Sequence, residues 1–268
     1  MKPKTVFMAH MTNPELEAYL RDAGDRATVL VPVGSTEQHG PHGPLGTDAL
    51  IPTEIAGRMA PGIGALVAPT VNYGLSYPHA GFTGVAYLRM STFAALIEDL
   101  CDQLSRMGFR RIVFLNGHYD NTYAIAYACA AAADAGRLSE GTHAFPVNYW
   151  DAMTPDEAAE FFDPANGLHA NRGETSAVMA INPDWVDMDA ANVEMPPFPE
   201  VAAGGAAVHT AFFFSAPGSI KRATASGTWG DARESSVEFG QRYLDVVTAA
   251  TARLIGDIER TFEAMPDR

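Results

Sequence analysis

Short apolar runs alternate with amphipathic helical segments along most of this chain. Residues 28–33 read Thr-Val-Leu-Val-Pro-Val, and so nearly continuous an apolar run is typical of a strand that is covered on both faces. Strands and helices that alternate in this way predict βαβ units and a mostly parallel sheet, which is an α/β fold. The predicted strands are 28–33, 65–71, 111–115 and 144–149, and the predicted helices are 13–23, 48–59, 91–107, 120–133, one from 154, 174–181 and 231–262.

Residues 190–223 break this alternation because they are rich in Pro, Gly and Ala, and we expect them to be irregular. Within them, the apolar segment 208–215 has two interpretations. It packs at a subunit interface, or, more simply, it is buried inside its own chain.

Composition favours one domain and excludes some partners. The chain has 268 residues, 47% hydrophobic and 19% charged, and no linker or repeat divides it, so we predict a single domain over residues 1–268. Its 32 acidic and 18 basic residues give a net charge of −14, which would repel nucleic acid. No stretch approaches the roughly 20 apolar residues that span a bilayer, so no membrane contact and a cytoplasmic location are expected. Cys101 and Cys129 are expected to be buried thiols in a reducing compartment.

A loop rich in metal-ligand residues directly follows the first predicted strand. It contains Glu37, His39, His42 and Asp48, and its interspersed Gly and Pro residues indicate a shaped loop. Carboxylates and imidazoles crowded together are what a divalent metal site requires. Glu37 and His39 are two residues apart, so in extended backbone their side chains point to the same side. Asp48 is equally suited to a plain N-cap, and His42 is expected to shape the loop.

A second cluster, with His118 and Asp120 at the same spacing, follows the third predicted strand. Ligands of open parallel sheets bind outside the carboxyl ends of the strands, so we expect both clusters to form one site. Unpaired carboxylates gathered there would repel one another and lose hydration, and two divalent ions would remove that cost. For a lone histidine, a structural hydrogen bond would be the simpler interpretation.

A third segment adds His169 and Glu174. His169 lies in a Gly-flanked loop before a predicted helix, whereas Glu174, in the first helical turn, can simply complete a capping box.

Five segments, in order along the chain, resemble the creatininase (creatinine amidohydrolase) family. The likeness runs from residue 30 to about residue 240. The matching segments are Gly-Ser-Thr-Glu37-Gln-His39-Gly-Pro-His-Gly-Pro-Leu-Gly-Thr-Asp48, Tyr73-Gly-Leu-Ser76-Tyr-Pro-His79-Ala-Gly-Phe, Asn116-Gly-His118-Tyr-Asp120-Asn121, His169-Ala-Asn-Arg-Gly-Glu174-Thr-Ser and Gly227-Thr-Trp-Gly230-Asp231.

The resemblance implies a three-layer α/β/α fold, a homohexamer and two divalent ions, zinc or manganese, that activate water to hydrolyse non-peptide C–N bonds. Glu37, Asp48 and His118 would hold one ion, and His39, Asp48 and Asp120 the other. Catalysis is assigned to His169, as acid and base, and to Glu174. Substrate binding is assigned to Tyr119, Trp150, His79 and Ser76.

Some of these assignments have alternatives. Trp150 is equally suited to core packing, and His79 to supporting the metal ligands. The family's namesake enzyme has Glu where this chain has Asp120, so the second ion shifts or recruits Glu174 or water. The segment before His169 also lacks the Trp that closes over creatinine in the namesake, which argues against creatinine itself.

The predicted substrate is therefore a small amide, most simply a cyclic amide or lactam. One alternative is an open-chain substrate, as for relatives that remove formyl groups or trim a peptide. A non-enzymatic alternative is an assembly or binding protein whose metals are structural. A nucleotide-binding protein finds little support, because no Gly-x-Gly-x-x-Gly or Walker motif follows a strand.

Overall fold

A computed structural model describes residues 4–161, 167–198 and 205–265 of the chain. Its central sheet has four parallel strands in the order β2-β1-β3-β4. Register pairs Val33 of the first strand with Asn116 of the third, and Asn116 with Asn148 of the fourth. The carboxyl ends of these three strands therefore lie at one edge. The strands are β1 (Thr28–Val33), β2 (Leu66–Val67), β3 (Arg111–Asn116) and β4 (His143–Asn148).

Helices cover both faces of this sheet. Because side chains alternate along a strand, Leu30 and Val113 join one buried cluster, whereas Val29 and Val31 join another. The first cluster includes α2 (Thr47–Ile63), α6 (Arg172–Ile181) and α9 (Val237–Ala264), and the second includes α3 (Met90–Met107) and α4 (Thr122–Asp134). The predicted three-layer α/β/α arrangement is confirmed. The described chain outside the irregular region also contains the α-helices α1 (Asn13–Ala23) and α5 (Pro155–Phe161).

A second, three-stranded antiparallel sheet was not predicted. It has the order β5-β7-β6 and comprises β5 (Gly167–His169), β6 (Val193–Glu194) and β7 (Trp229–Asp231). The expectation that residues 190–223 are irregular is wrong in part, because β6, α7 (Gly205–Phe213) and α8 (Ser219–Ala223) lie there. Burial of segment 208–215 within the chain is also wrong for most of its described side chains: Val208 and Phe214 are 42% and 49% exposed, and Thr210, Ala211 and Ser215 are exposed as well.

Several predicted boundaries also move. The strand expected at 65–71 is only Leu66–Val67, and beyond it the chain returns to β1 through a single bridge between Val33 and Val71. The last helix begins at Val237 rather than 231, because 229–231 form β7 and Ser236 caps the helix. Among the described residues, no helix has the length and apolar character that crossing a membrane requires.

Two glycines let the first turn of α2 approach the ends of β1 and β3. A Cβ on Gly34 would lie 2.4 Å from the carbonyl oxygen of Asp48, and a Cβ on Gly117 would lie 2.2 Å from the same atom. Contacts this short require the backbone to move. Asp48 can therefore approach both loops only because residues 34 and 117 are glycines.

Gly117→Ala is therefore expected to destabilise the protein by about 1–3 kcal/mol, the usual cost of overpacking. Urea unfolding of the metal-free protein measures the difference. Gly62→Ala is the matched control, because a Cβ there meets nothing within 4 Å and alanine favours the helix by up to about 1 kcal/mol. Equal stability of the two variants would contradict the close approach.

Candidate metal centre

The two sequence clusters meet at the carboxyl edge of the central sheet. The loop after β1 places Glu37 and His39, the first turn of α2 places Asp48, and the turn after β3 places His118 and Asp120. Glu37, His39, Asp48 and His118 are each 5% exposed or less. The expectation that both strand ends build one site agrees with this arrangement.

Three overlapping groups of side chains could hold an ion, each with one ligand atom per residue and all its ligand atoms within 4.8 Å. In the group of Glu37, Asp48 and His118, His118 Nδ1 lies 2.9 Å from Asp48 Oδ2, and His118 Nε2 lies 3.5 Å from Glu37 Oε2. In the group of His39, Asp48 and Glu174, His39 Nε2 lies 3.1 Å from Asp48 Oδ1. Asp48 thus belongs to two groups, one through each carboxylate oxygen. The groups are Glu37, Asp48 and His118; His39, Asp48 and Glu174; and Glu37, His39 and His169.

The predicted N-cap role of Asp48 is wrong, because Gly46 occupies that position and the Asp48 carboxylate faces inward. Ser35 Oγ donates a hydrogen bond to Asp48 Oδ2 at 2.8 Å. The side chain therefore serves the cluster rather than the helix end.

Asp120 and Glu174 differ from the expected ligand assignment. Asp120 Oδ2 lies 3.7 Å from His118 Nε2, but within the described chain Asp120 joins none of the three groups. Glu174, by contrast, lies with His39 and Asp48.

Glu174 also organises the turn before α6. Asn171 accepts a hydrogen bond from the backbone N–H of Glu174 at 3.1 Å, and Glu174 Oε2 accepts one from the N–H of Ala170 at 2.7 Å. Ala170 has a φ of 53°, a left-handed conformation that costs a non-glycine residue about 1–3 kcal/mol. The carboxylate thus stabilises the strained link between His169 and the helix.

Burial and neighbouring charges shift the pKa values of Glu37, His39, Asp48 and His118. Burial raises the pKa of Glu37 to about 8. Burial alone would lower the pKa of His39 and raise that of Asp48, but their mutual attraction is stronger, so the His39 pKa rises to about 9 and the Asp48 pKa falls well below its usual range. Burial also lowers the pKa of His118, but neighbouring carboxylates, Glu37 foremost, outweigh burial, so this pKa lies well above its usual range.

The remaining groups shift toward their neutral forms. Burial, followed by the nearby His39, lowers the pKa of His169 to about 3, and burial and the neighbouring His169 lower the pKa of His79 well below its usual range. Burial raises the pKa of Glu174.

Polar atoms without partners fit bound cations. Within the described residues, Glu37 Oε2 and Asp120 Oδ2 are buried and accept no hydrogen bond, which is rare for carboxylate oxygens. In the same part of the chain, the ion pairs of Glu37, Asp48 and Asp120 are all with histidines, not with Lys or Arg. Carboxylate oxygen and imidazole nitrogen are ligands suited to zinc and manganese. The residues present therefore fit divalent ions.

The residues assigned to substrate binding occupy different depths. Tyr119 is 58% exposed, and its ring centroid lies 6.5 Å from that of Trp150, which is half-buried. Ser76 is fully buried, and its hydroxyl has no partner among the residues that the structure describes. His79 is 6% exposed and lies beside Glu37, with His79 Nε2 3.3 Å from Glu37 Oε1. Residues 163–166, which lack the Trp of the namesake enzyme, lie outside the described residues.

Sequence reasoning missed the groups that support the ligands. Gln38 Nε2 lies 2.9 Å from His79 Nδ1, and His118 Nε2 lies 2.6 Å from the carbonyl oxygen of Leu75. Gln38 lies between two candidate ligands, so in extended backbone it points to the side opposite theirs. That alternation is a signal by which the sequence could have singled it out.

The three-layer fold and its buried carboxylate–imidazole cluster define a metal-binding α/β enzyme. Residues 9–255 match the sequence profile of the Creatininase family, described as creatinine amidohydrolase. The chain belongs to the creatininase family and is a metal-dependent amidohydrolase, as the resemblance implied.

Individual relatives span much of the chain. Creatinine amidohydrolase of Pseudomonas putida is 34% identical over 267 residues, which cover 94% of this chain and 96% of the relative. Mycofactocin precursor peptide peptidase of Mycolicibacterium smegmatis is 38% identical over 167 residues, 60% of each chain. A crystal structure of creatininase superposes with a TM-score of 0.80 at 31% identity, covering 95% of this chain and 98% of that one.

Proposed function

We propose that this protein hydrolyses a C–N bond in a small amide, most simply a cyclic amide or lactam, with two divalent ions. The observation that carries the proposal is the position of Asp48, whose two carboxylate oxygens face two different groups of candidate ligands. A carboxylate that bridges two ions is a common feature of dinuclear hydrolases, so this arrangement supports two ions rather than one.

Glu37, Asp48 and His118 would hold one ion, and His39 and Asp48, with Glu174 or Asp120, the other. Zinc and manganese are favoured by the ligand types, and solved creatininases include a form described as Zn-Zn type and one described as Mn. Bound ions of this kind supply Lewis acidity and lower the pKa of water from about 15.7 to about 7.

The chain's own residues would manage the proton and the substrate. His169 Nδ1 lies 3.8 Å from Glu37 Oε1, and its imidazole would carry a proton to the leaving nitrogen. Tyr119 and Trp150, whose rings are inclined by 33°, would contact a small planar substrate at the edge of the site. Ser76, with its unpartnered hydroxyl, would offer a hydrogen bond.

Burial of the candidate ligands supports a small substrate, because a bulky one would not reach them without opening the site. A creatininase variant has been solved complexed with creatine, a small molecule. A peptide substrate is the second candidate, favoured by the peptidase relatives and by the exposed Tyr119. The single domain, the homohexamer and the cytoplasmic location stay predictions.

Chelation is expected to remove about two ions per chain, abolish hydrolysis and lower the melting temperature. Ligand binding stabilises a fold by about 4 kcal/mol at a thousandfold excess over Kd, and here the ions also neutralise buried carboxylates. Metal analysis, a thermal melt and an assay after re-addition of Zn²⁺ or Mn²⁺ measure the three effects. Equal activity of the metal-free protein would contradict the proposal.

A screen of lactams, cyclic ureas, hydantoins, formamides and short peptides with the metal-loaded protein identifies the substrate class. Turnover of the cyclic amides alone supports the first candidate. Turnover confined to peptides or formamides would replace it with the second.

A further inference from the structure

The hydrogen bonds of Gln38 fix which end of its amide is which. Gln38 Oε1 accepts the backbone N–H of Gly40 at 2.8 Å, and Gln38 Nε2 donates to the carbonyl oxygen of Gly227 at 3.1 Å. A backbone N–H only donates and a carbonyl only accepts, so the amide has one orientation that satisfies both. One hydrogen of the amide nitrogen is left for another acceptor.

Two imidazole nitrogens lie near that remaining hydrogen. One of them already carries a hydrogen and cannot accept another. His169 Nε2 lies 2.8 Å from the main-chain oxygen of Gln38, which can only accept, so His169 Nε2 carries a hydrogen. Although Gln38 Nε2 is 3.1 Å from this nitrogen, two N–H groups cannot bond to each other. The amide hydrogen therefore goes to His79 Nδ1, at 2.9 Å.

The tautomers of both histidines follow. A neutral His79 that accepts at Nδ1 carries its hydrogen on Nε2, and that nitrogen lies 3.3 Å from Glu37 Oε1. The other oxygen, Glu37 Oε2, is buried, has no hydrogen-bond donor among the described residues, and faces His118 Nε2 at 3.5 Å. One oxygen of Glu37 thus faces the N–H of His79, while the other is left available to a metal ion.

We propose that Gln38 is a positioning residue that acts through His79 to orient Glu37 as a metal ligand. The order is Gln38 amide, His79 imidazole, Glu37 carboxylate, and the inference rests on the proposed metal-binding role of Glu37. Partners of this kind behind a metal ligand fix its orientation, and their loss typically lowers metal affinity about 10–100-fold. Both ring nitrogens of His79 face protein groups, Nδ1 the Gln38 amide and Nε2 the Glu37 carboxylate, so His79 supports a ligand rather than contacting substrate.

The test uses the zinc-loaded protein with ¹⁵N-labelled histidine, because zinc is diamagnetic and imidazole nitrogen shifts report the tautomer. In the unmodified protein, His79 and His169 should both be protonated at Nε2. In Gln38→Met, His169 should be unchanged, since its acceptor is a main-chain carbonyl. His79 should lose its fixed tautomer, and zinc affinity should fall about 10–100-fold.

Gln103→Met is the matched control, because Gln103 is exposed on α3 and contacts only its neighbour Asp102 among the hydrogen bonds described. It should change neither spectrum nor affinity. Protonation of His79 at Nδ1 in the unmodified protein overturns the proposal even if Gln38→Met fails to fold, and so does an unchanged affinity in a folded Gln38→Met.

Failure of the proposed function would look different. In that case the unmodified protein binds no zinc, or binds it and hydrolyses none of the amides. The His79 tautomer in the zinc-free protein still decides whether Gln38 fixes it.

Discussion

Asp48→Asn is expected to empty both metal positions and to reduce turnover more than any other single substitution at the site. Asp48 Oδ1 lies 3.1 Å from His39 Nε2, and Asp48 Oδ2 lies 2.9 Å from His118 Nδ1, so one side chain serves both groups. Asparagine has nearly the same shape but no charge, and its amide nitrogen would point a donor at a ligand position. Both ions would lose a ligand, and the site would lose one of its carboxylate charges.

Metal content per chain, measured after gel filtration, checks this prediction. Glu37→Gln should lose about one ion, because Glu37 belongs to a group with Asp48 but not to the group of His39, Asp48 and Glu174. Retention of two ions by Asp48→Asn would contradict the bridging position. Loss of both ions by Glu37→Gln would show that the two positions fill only together.

A helix effect has to be separated from a metal effect, because Asp48 lies in the first turn of α2, where a carboxylate also favours the helix by about 0.3–1 kcal/mol. Asp156→Asn is the matched control, since Asp156 occupies the first turn of α5 and is exposed. It should cost about 0.3–1 kcal/mol, the helix effect alone, and leave the bound metal unchanged.

Local sequence determined the elements that carry the ligands. The bounds of α1 and β1 were predicted correctly because residues typical of a helix start and a nearly continuous apolar run are each complete within a few positions. The site at the carboxyl edge followed from the parallel alternation, which needs no knowledge of individual contacts.

Long-range contacts explain what the sequence did not predict. Strand β5 pairs with β7 across about 60 residues, and its three residues, Gly167–His169, show no local strand signal. The same pairing and the turn at Ala170 bring Glu174 to His39, a contact that no spacing along the chain indicates. Gln38 was missed for the same reason, because its role depends on atoms of His79 and Gly227, which lie far away in sequence.

The acid–base assignment leads to the second large effect. His169→Ala is expected to keep about two ions and to lower kcat about 10²–10⁴-fold, which is the usual contribution of a positioned proton carrier. The His169 ring lies 4.3 Å from that of His39 and 4.6 Å from that of His79, centroid to centroid, so it adjoins the candidate ligands from the side of β5. Its Nε2 hydrogen bonds to Gln38, and its Nδ1 is therefore the atom available to a reacting group.

The competing interpretation is that His169 is itself a ligand, because it forms a group with Glu37 and His39. The two interpretations differ in the metal content of the variant, not in its activity, since both predict slow turnover. His143→Ala, an exposed imidazole stacked on Phe262, is the matched control and should change neither quantity. If His169→Ala binds one ion fewer, His169 holds metal, and the proton must reach the leaving nitrogen from another group. If it binds two ions at unchanged kcat, neither role stands.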